Sequence, residues 1–599
     1  KFVLSREGEN ILSYDMDDLS RRGLNRMRSI VLWDNSILIN QGMDGESSFM
    51  VNGVSNEEFD VFYDNVKINN INNPLMNLTP ISNKGIAELI ITHGGYSKFS
   101  ASPGSINFIP RLNYDNKLEL NQLKNNQNTT VLDGFGALGI KYATINGGIS
   151  KREYMSSNID TSNFAVNTNV NNYFSNIGFT NRKNVELFFT GFQNKKFQNR
   201  IYNGDLDNDN ISSITNNNFI AKIDQWSPFT GRISIFGLVQ GREGLNYDQI
   251  DFNDESRALG FTVEKDQENS LITFSTASTI INSDWNLRDG NAIIRRQNSV
   301  LNGSLEFFLD QKKNDAHFKN LKMVFSKERT TDVKDQSSEI DILPNYWDEH
   351  SFQISTTIIE QKENKKNSFY LTFGKSRNTP YLEDVIKTVA YSSLIASQDR
   401  IYPEKKSSFA LILTHKNKFE KYEWSYLARL SAFSHQYENK VKYVPLGGDR
   451  LMNIMMNVGL ANNSGFGAHF ELQPTIQRFR FVTTIFYNES SDDLKFQLLP
   501  NGMIKNQIFI QNKFFNLNLM AFTSGKRNIT YVDESNQFIN QELKRNTNYC
   551  LQVSKAMRYK VFNIVFSLSG ENLNDNVILI DDIRINEKRY SFDVSLSIQ

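Results

Sequence analysis

The sequence predicts an all-β membrane protein. A 22-stranded antiparallel transmembrane β-barrel is expected over residues 112–599, behind a small mixed α/β domain at residues 1–111. Three observations carry this reading. From about residue 112, apolar and polar residues alternate with a period of two, segment after segment. The polar connectors between these segments are short on one side and long on the other. Finally, the 488 residues left after residue 111 (599 − 111) divide into 22 units of about 22 residues, enough for the roughly 9–11 residues of a membrane-crossing strand plus its connector.

The N-terminal part is mixed. "DMDDLSRRGLNRM" (15–27) reads as helix, with Asp17 and Asp18 placed to meet the positive end of its dipole. Short apolar strands follow at "SILIN" (36–40), "FDVFYDNVKI" (59–68), "AELIIT" (87–92) and "SINFIP" (105–110). Beyond residue 112 helical patterns all but vanish. One strand face carries Phe369, Leu371 and Phe373, others Phe409, Leu411 and Leu413, then Phe515, Leu517, Leu519 and Ala521, then Phe562, Ile564, Phe566 and Leu568. The last strand sets Tyr590, Phe592, Val594, Leu596 and Ile598 against Ser591, Asp593, Ser595 and Ser597. "WSPFTG" (226–231) reads as a tight turn and "YNGDLDNDNISSITNNN" (202–218) as a long polar loop.

Composition narrows the function classes. Lys plus Arg equals Asp plus Glu at 66 each, so no electrostatic attraction to nucleic acid is expected. The single cysteine, Cys550, excludes an intrachain disulfide and a four-cysteine zinc site. Mean hydropathy is −0.46, and no apolar run reaches the roughly 20 residues of a spanning helix. A barrel reconciles these values with a membrane, because its apolar residues sit at alternate positions. The 44 Phe and 23 Tyr suit an outward lipid-facing band and its girdles. A soluble all-β protein is the alternative; no 40–50-residue repeat supports it. The opening "KFVLSREGEN" has no signal-peptide pattern, as expected of a cytosolic chain or of the mature form of an exported one.

Four stretches together resemble the TonB-dependent outer-membrane receptors. "NVKINNINNPLMNLTPISNKGIAELIITHGGYSKFSASPGSINFIPR" (65–111) is similar to the end of that family's plug, with Gly94 at the family's glycine. "ILSYDMDDLSRRGLNRMRSIVLWDNSILINQG" (11–42) resembles the plug's opening strand, helix and strand. "GKSRNTPYLEDV" (374–385) followed by "IYPEKKSSFALIL" (401–413) is similar to a mid-barrel phrase, and "NEKR" before the last strand to the family's C-terminal strand. The resemblance spans essentially the whole chain, through degenerate motifs. It departs at Glu88-Leu89-Ile90 and His93 in the plug, at the glycine-poor turn "FSASPG" (99–104), and at the final Gln599. "FVLS" (2–5) is the one candidate for a TonB-contact box.

The resemblance implies a plug lodged inside a 22-stranded barrel, in the outer membrane of a Gram-negative-type bacterium. It implies a non-enzymatic role, binding and importing a ligand. The implied partners are outer-membrane lipid and a TonB-type energy-transducing protein on the periplasmic side. Plug-loop residues His93, Gly94, Gly95, Tyr96, Pro103 and Gly104 become candidates for ligand or barrel contact. The second reading is a non-transporting barrel that scaffolds a surface lipoprotein or other envelope subunits; the altered plug turn favours it.

Other constellations read as architecture. Gly134, Gly136 and Gly139 in "VLDGFGALGIKYATINGG" (131–148) match G-x-G-x-x-G, but β-branched residues and an Asn-Gly pair follow, not a helix. The stretch reads as barrel strand, its glycines leaving room where the plug wall presses close, and "TINGG" (144–148) as a hairpin turn. Asp205, Asp207 and Asp209 have calcium-loop spacing, with Asn210 in the glycine position and Asn216 in that of the bidentate acid. A solvated polar loop is the first reading; calcium is the ion such an extracellular loop would take, and no other cofactor is expected. The six histidines have no ligand spacing, and no G-x-S-x-G occurs, so no enzyme is expected.

Overall fold

A computed structural model describes the chain apart from residues 1–9, 25–26, 42–46, 52, 56–57, 73–82, 94–100, 103, 127–128, 158–163, 182, 203–210, 246–249, 288–289, 312–315, 341, 343–344, 363, 391–399, 420–423, 447–451, 475–478, 534, 536, 581–582, 585–587 and 599.

The N-terminal domain runs β1 (Ile11–Asp15), α1 (Met16–Arg21), α2 (Met27–Trp33), β2 (Leu38–Gln41), β3 (Ser47–Val51), β4 (Val54–Ser55), β5 (Asp60–Tyr63), β6 (Val66–Lys67), β7 (Ile86–His93) and β8 (Gly104–Pro110). Asp15 caps α1, accepting hydrogen bonds from the Asp17 and Asp18 backbone N–H groups at 3.0 and 3.1 Å. The helix stops at Gly23, whose φ of +79° is left-handed, so the predicted 15–27 helix is two helices with a break. Asp64 and Asn65, at φ 49° and 67°, form the tight turn between β5 and β6. The main sheet has the order β1-β7-β8-β5-β6, with β2-β3-β4 as a second small sheet.

Twenty-two antiparallel strands then close on themselves, from Lys117–Asn125 to Arg589–Ile598; Ser591 pairs with Asn125 and Ile598 with Leu118 at the seam. Side chains alternate as the sequence demands. Phe373 and Tyr590 are 47 % and 48 % exposed on the outer face, whereas Tyr370 and Thr372 are 2 % and 1 % exposed inside. An apolar outer wall around a polar interior is the inverse of a water-soluble barrel; it is the wall of one that crosses lipid. At one end every connector is two to four residues, as at 141–142, 228–230 and 560–561. The other end carries the long ones: 379–403, 439–460, 525–545 and 572–588.

The N-terminal domain fills the lumen. Its core residues Leu12, Trp33 and Phe49 join Phe188, Ile220, Leu238 and Met520 of the wall in one buried cluster. Lys505, fully buried on the wall, donates to the Asp34 carbonyl at 2.8 Å and also to that of Ile37, capping the chain just beyond α2. Where the domain hands over to the barrel, Glu119 accepts ion pairs from Lys84 (3.1 Å), Arg111 (3.2 Å) and Lys117 (2.7 Å).

Four expectations are corrected. "TINGG" lies inside the strand Ala143–Ser157, and the hairpin turns at Lys141 and Tyr142. Phe135 and Ala137 face inward, so strand parity points Gly134 and Gly136 outward: a Cβ on Gly136 would meet nothing within 4 Å. Of these three, Gly139 alone serves a close approach, its Cβ position lying 2.0 Å from the Tyr114 carbonyl oxygen. The expected 202–218 loop is shorter, since Ile211–Ser227 is strand. A helix, α3 (Leu382–Ala390), occurs within the barrel region.

Candidate functional site

A polar cavity of about 90 Å³ lies between the plug and the barrel wall on the side of the long loops. The plug contributes Glu58–Asp60, Lys67, Asn69, Asn70, Ala101 and Ser102. The wall contributes inward residues of strands between Ser270 and Phe419, and the connector residues Thr379–Tyr381 form its roof.

The charges here are buried and matched. Plug Glu58 accepts from Lys406 of the wall and from Lys440 at 3.4 Å; Lys440 also reaches Glu404 at 3.0 Å. Burial alone would raise the Glu58 pKa, but the two lysines outweigh it and hold the carboxyl at about 2. Asp60 pairs with Lys67 at 2.7 Å; burial opposes the lysine's charge, yet Asp60 and Glu328 raise its pKa. Arg377 pairs with Glu349, and Arg296 grips Asp332 through two hydrogen bonds of 2.6 and 2.9 Å. The remaining Arg296 nitrogen donates to the Pro380 carbonyl at 2.6 Å, drawing the roof onto the wall.

The roof continues into α3. Leu382, Val385, Ile386 and Val389 recur at helical spacing, and this face packs on Phe252, Ile281, Trp285, Ile294 and Trp347. Arg242 holds Glu383 bidentately at 2.6 and 3.2 Å while contacting Asp254 at 3.3 Å. Burial would raise the Glu383 pKa; Arg242 and Lys387 pull it to about 2. Asp384 beside it is buried with one carboxylate oxygen that has no partner among the described residues, and burial, reinforced by Glu383, pushes its pKa up to about 7. The roof also touches the plug: Asn69 donates to the Tyr381 hydroxyl at 3.0 Å. Loop, wall and plug are therefore one connected unit.

Of the predicted plug-loop residues, His93 closes β7 and stands opposite Gly104 in the β7–β8 register. Gly94, Gly95, Tyr96 and Pro103 lie outside the described residues, as do Asp205, Asp207 and Asp209. Gly104 is a packing glycine: a Cβ there would sit 1.6 Å from the Phe59 ring, which packs 5.6 Å from Phe49. Gly104→Val should therefore destabilise plug docking by about 3 kcal/mol or more. Faster proteolytic cleavage of the plug with an intact barrel would register this; wild-type resistance would contradict it. Among the described residues, no group of three His, Cys, Asp or Glu could hold a metal ion. The reading by strand pattern missed Glu58, Lys406, Arg242 and Glu383. The one local signal was the i, i+3, i+4, i+7 spacing from Leu382 to Val389.

Barrel, lumen-filling domain and looped mouth together define a plugged transmembrane barrel, the fold of the TonB-dependent outer-membrane receptors. The similar solved structures include the FrpB iron transporter of Neisseria meningitidis, F3-3 variant, with a TM-score of 0.75 at 10 % identity over 99 % of this chain and 100 % of that one. The copper transporter OprC also has a TM-score of 0.75, at 8 % identity, covering 99 % of each chain. The ferric citrate transporter FecA, unliganded, gives 0.72 at 11 % identity over 99 % and 98 %. No protein-family model and no curated protein matches the sequence.

Proposed function

We propose that this protein imports a ligand across an outer membrane, in the manner of the TonB-dependent receptors whose fold it has. The observation that carries the reading is the placement of the cavity. It lies between the plug and the mouth, under a loop tied to both. A ligand arriving from outside would displace the roof, settle against Asn69 and Asn70 of the plug, and pass only once the plug is remodelled. The buried pairs Glu58–Lys406 and Asp64–Lys222 (2.8 Å) resist that step, so work must be supplied from the periplasmic end. A TonB-type protein is the partner of the right kind. The protein's chemistry on this reading is binding and gating, with no catalytic step.

The test is capture of the full chain by the periplasmic domain of the TonB-type protein from its own cell, alongside ligand uptake with and without a protonophore. Capture together with protonophore-sensitive uptake supports import. No capture and no uptake, with the chain co-purifying with surface lipoproteins, would replace this reading with the scaffold one.

A further inference from the structure

The outer wall of the barrel carries an open groove of about 540 Å³, within the roughly 300–1,000 Å³ of small-ligand sites. Its sides are Tyr173, Phe219 and Val239, all exposed, whereas the next residues along two of those strands, Phe174 and Gln240, are buried on the inner face. Its floor is Gly191 and Gly241. Neither is a packing glycine: a Cβ on Gly241 would meet nothing within 4 Å, and one on Gly191 nothing closer than 3.8 Å. Glycine inside a strand costs stability, and without a packing reason it fits a place where another molecule comes close to the backbone.

The groove changes character along its length. Toward the short turns it is apolar, and below Arg257 the same strand face continues as Leu259 and Phe261, both exposed. Toward the long loops it ends on Gln193, which donates to Asn217 at 2.6 Å, and on Glu255 and Arg257. These two charges are exposed and stand 3.9 Å apart, beyond hydrogen-bond length, so each is open to an external partner. Gly241 lies ten residues past Gly231, where its strand leaves a short turn, and Arg257 lies ten before Gln267, where its strand enters one. At about 3.3 Å per residue and about 40° of tilt, both stand about 25 Å above that end, the height of a barrel's apolar band. The charged end of the groove is therefore at the outer water interface, and its apolar end is in hydrocarbon.

We infer that the groove holds one zwitterionic phospholipid of the outer leaflet. Its acyl chain lies over Gly191 and Gly241 against Phe219, its phosphate meets Arg257, and its ammonium meets Glu255. The lining offers one charge of each sign, the pattern of an ethanolamine headgroup. A lipid with two phosphates, or an anionic headgroup without an ammonium, would set Glu255 against negative charge. The inference stands on the transmembrane barrel and does not depend on ligand import.

The test is native mass spectrometry of the full chain in non-ionic detergent, titrated with phosphatidylethanolamine, phosphatidylglycerol and lipid A. One phosphatidylethanolamine should bind saturably, about tenfold more tightly than phosphatidylglycerol. Glu255→Gln should erase that preference, and Arg257→Gln should weaken both phospholipids about tenfold. Gly191→Leu/Gly241→Leu, which fills the floor, should abolish the saturable site. Val239→Trp fills the same space and replaces that variant if it melts below wild type. Preference for phosphatidylglycerol or lipid A, absence of a saturable site, or phosphatidylethanolamine retained equally by a folded filled variant would each overturn the inference.

Discussion

Glu58→Ala should loosen the plug by about 3–5 kcal/mol, the usual cost of stranding a buried charge. The substitution leaves Lys406, 3 % exposed, without its carboxylate, and removes a carboxylate that Lys440 contacts. Plug cleavage by protease in detergent should accelerate accordingly. The double variant Glu58→Leu/Lys406→Met should recover most of the loss, because neither charge is then buried. The pH dependence follows from the same pair. Glu58 has a folded pKa of about 2, below the ordinary 4.5, so its contribution is fully present above pH 4.5 and is lost as pH falls toward 2. Plug release in that window by the wild type, reduced in the double variant, is the expected result. Acid release of equal size in both would remove Glu58 from the account.

The second large effect concerns α3. Asp384 has a folded pKa of about 7 against an ordinary 3.8, so the docked helix holds a proton that the free loop releases. Docking should therefore weaken as pH rises from about 4.5 to 7, by about 3 kcal/mol. Below pH 4.5 the opposite term enters, since Glu383 loses its pairing with Arg242 as it protonates. The groups around Asp384 are Glu383, Lys387 and, from the wall, Arg242, so docking should be tightest at about pH 4 to 4.5. Hydrogen exchange of residues 382–390, corrected for intrinsic rates, should show stronger protection at pH 5 than at pH 8. Asp384→Asn should flatten that difference, and Arg242→Met should lower protection throughout. Equal protection of wild type and Asp384→Asn at both pH values would refute the assignment.

The barrel was legible because lipid outside and polar filling inside impose a period of two on every strand, as in Tyr590 to Ile598. The plug's strands and the start of α1 were legible for local reasons: Asp17 and Asp18 lie in its first turn, whereas the cap itself, Asp15, came from the structure. The glycines misled because parity, not composition, decides their direction, and parity needed the inward Phe135 and Ala137 as reference. α3 carries its own helical spacing, but nine residues within a 25-residue connector are easily taken for loop. The site was least legible. Its pairs join residues 348 apart at Glu58–Lys406 and 141 apart at Arg242–Glu383, and no local pattern marks either member.

The central claim is that the N-terminal domain seals a transmembrane barrel. Planar-bilayer conductance tests it most directly, comparing the full chain with one lacking residues 10–110. The full chain should insert without passing current, and the truncated chain should open a wide, steady channel. Equal conductance from the two would contradict the claim.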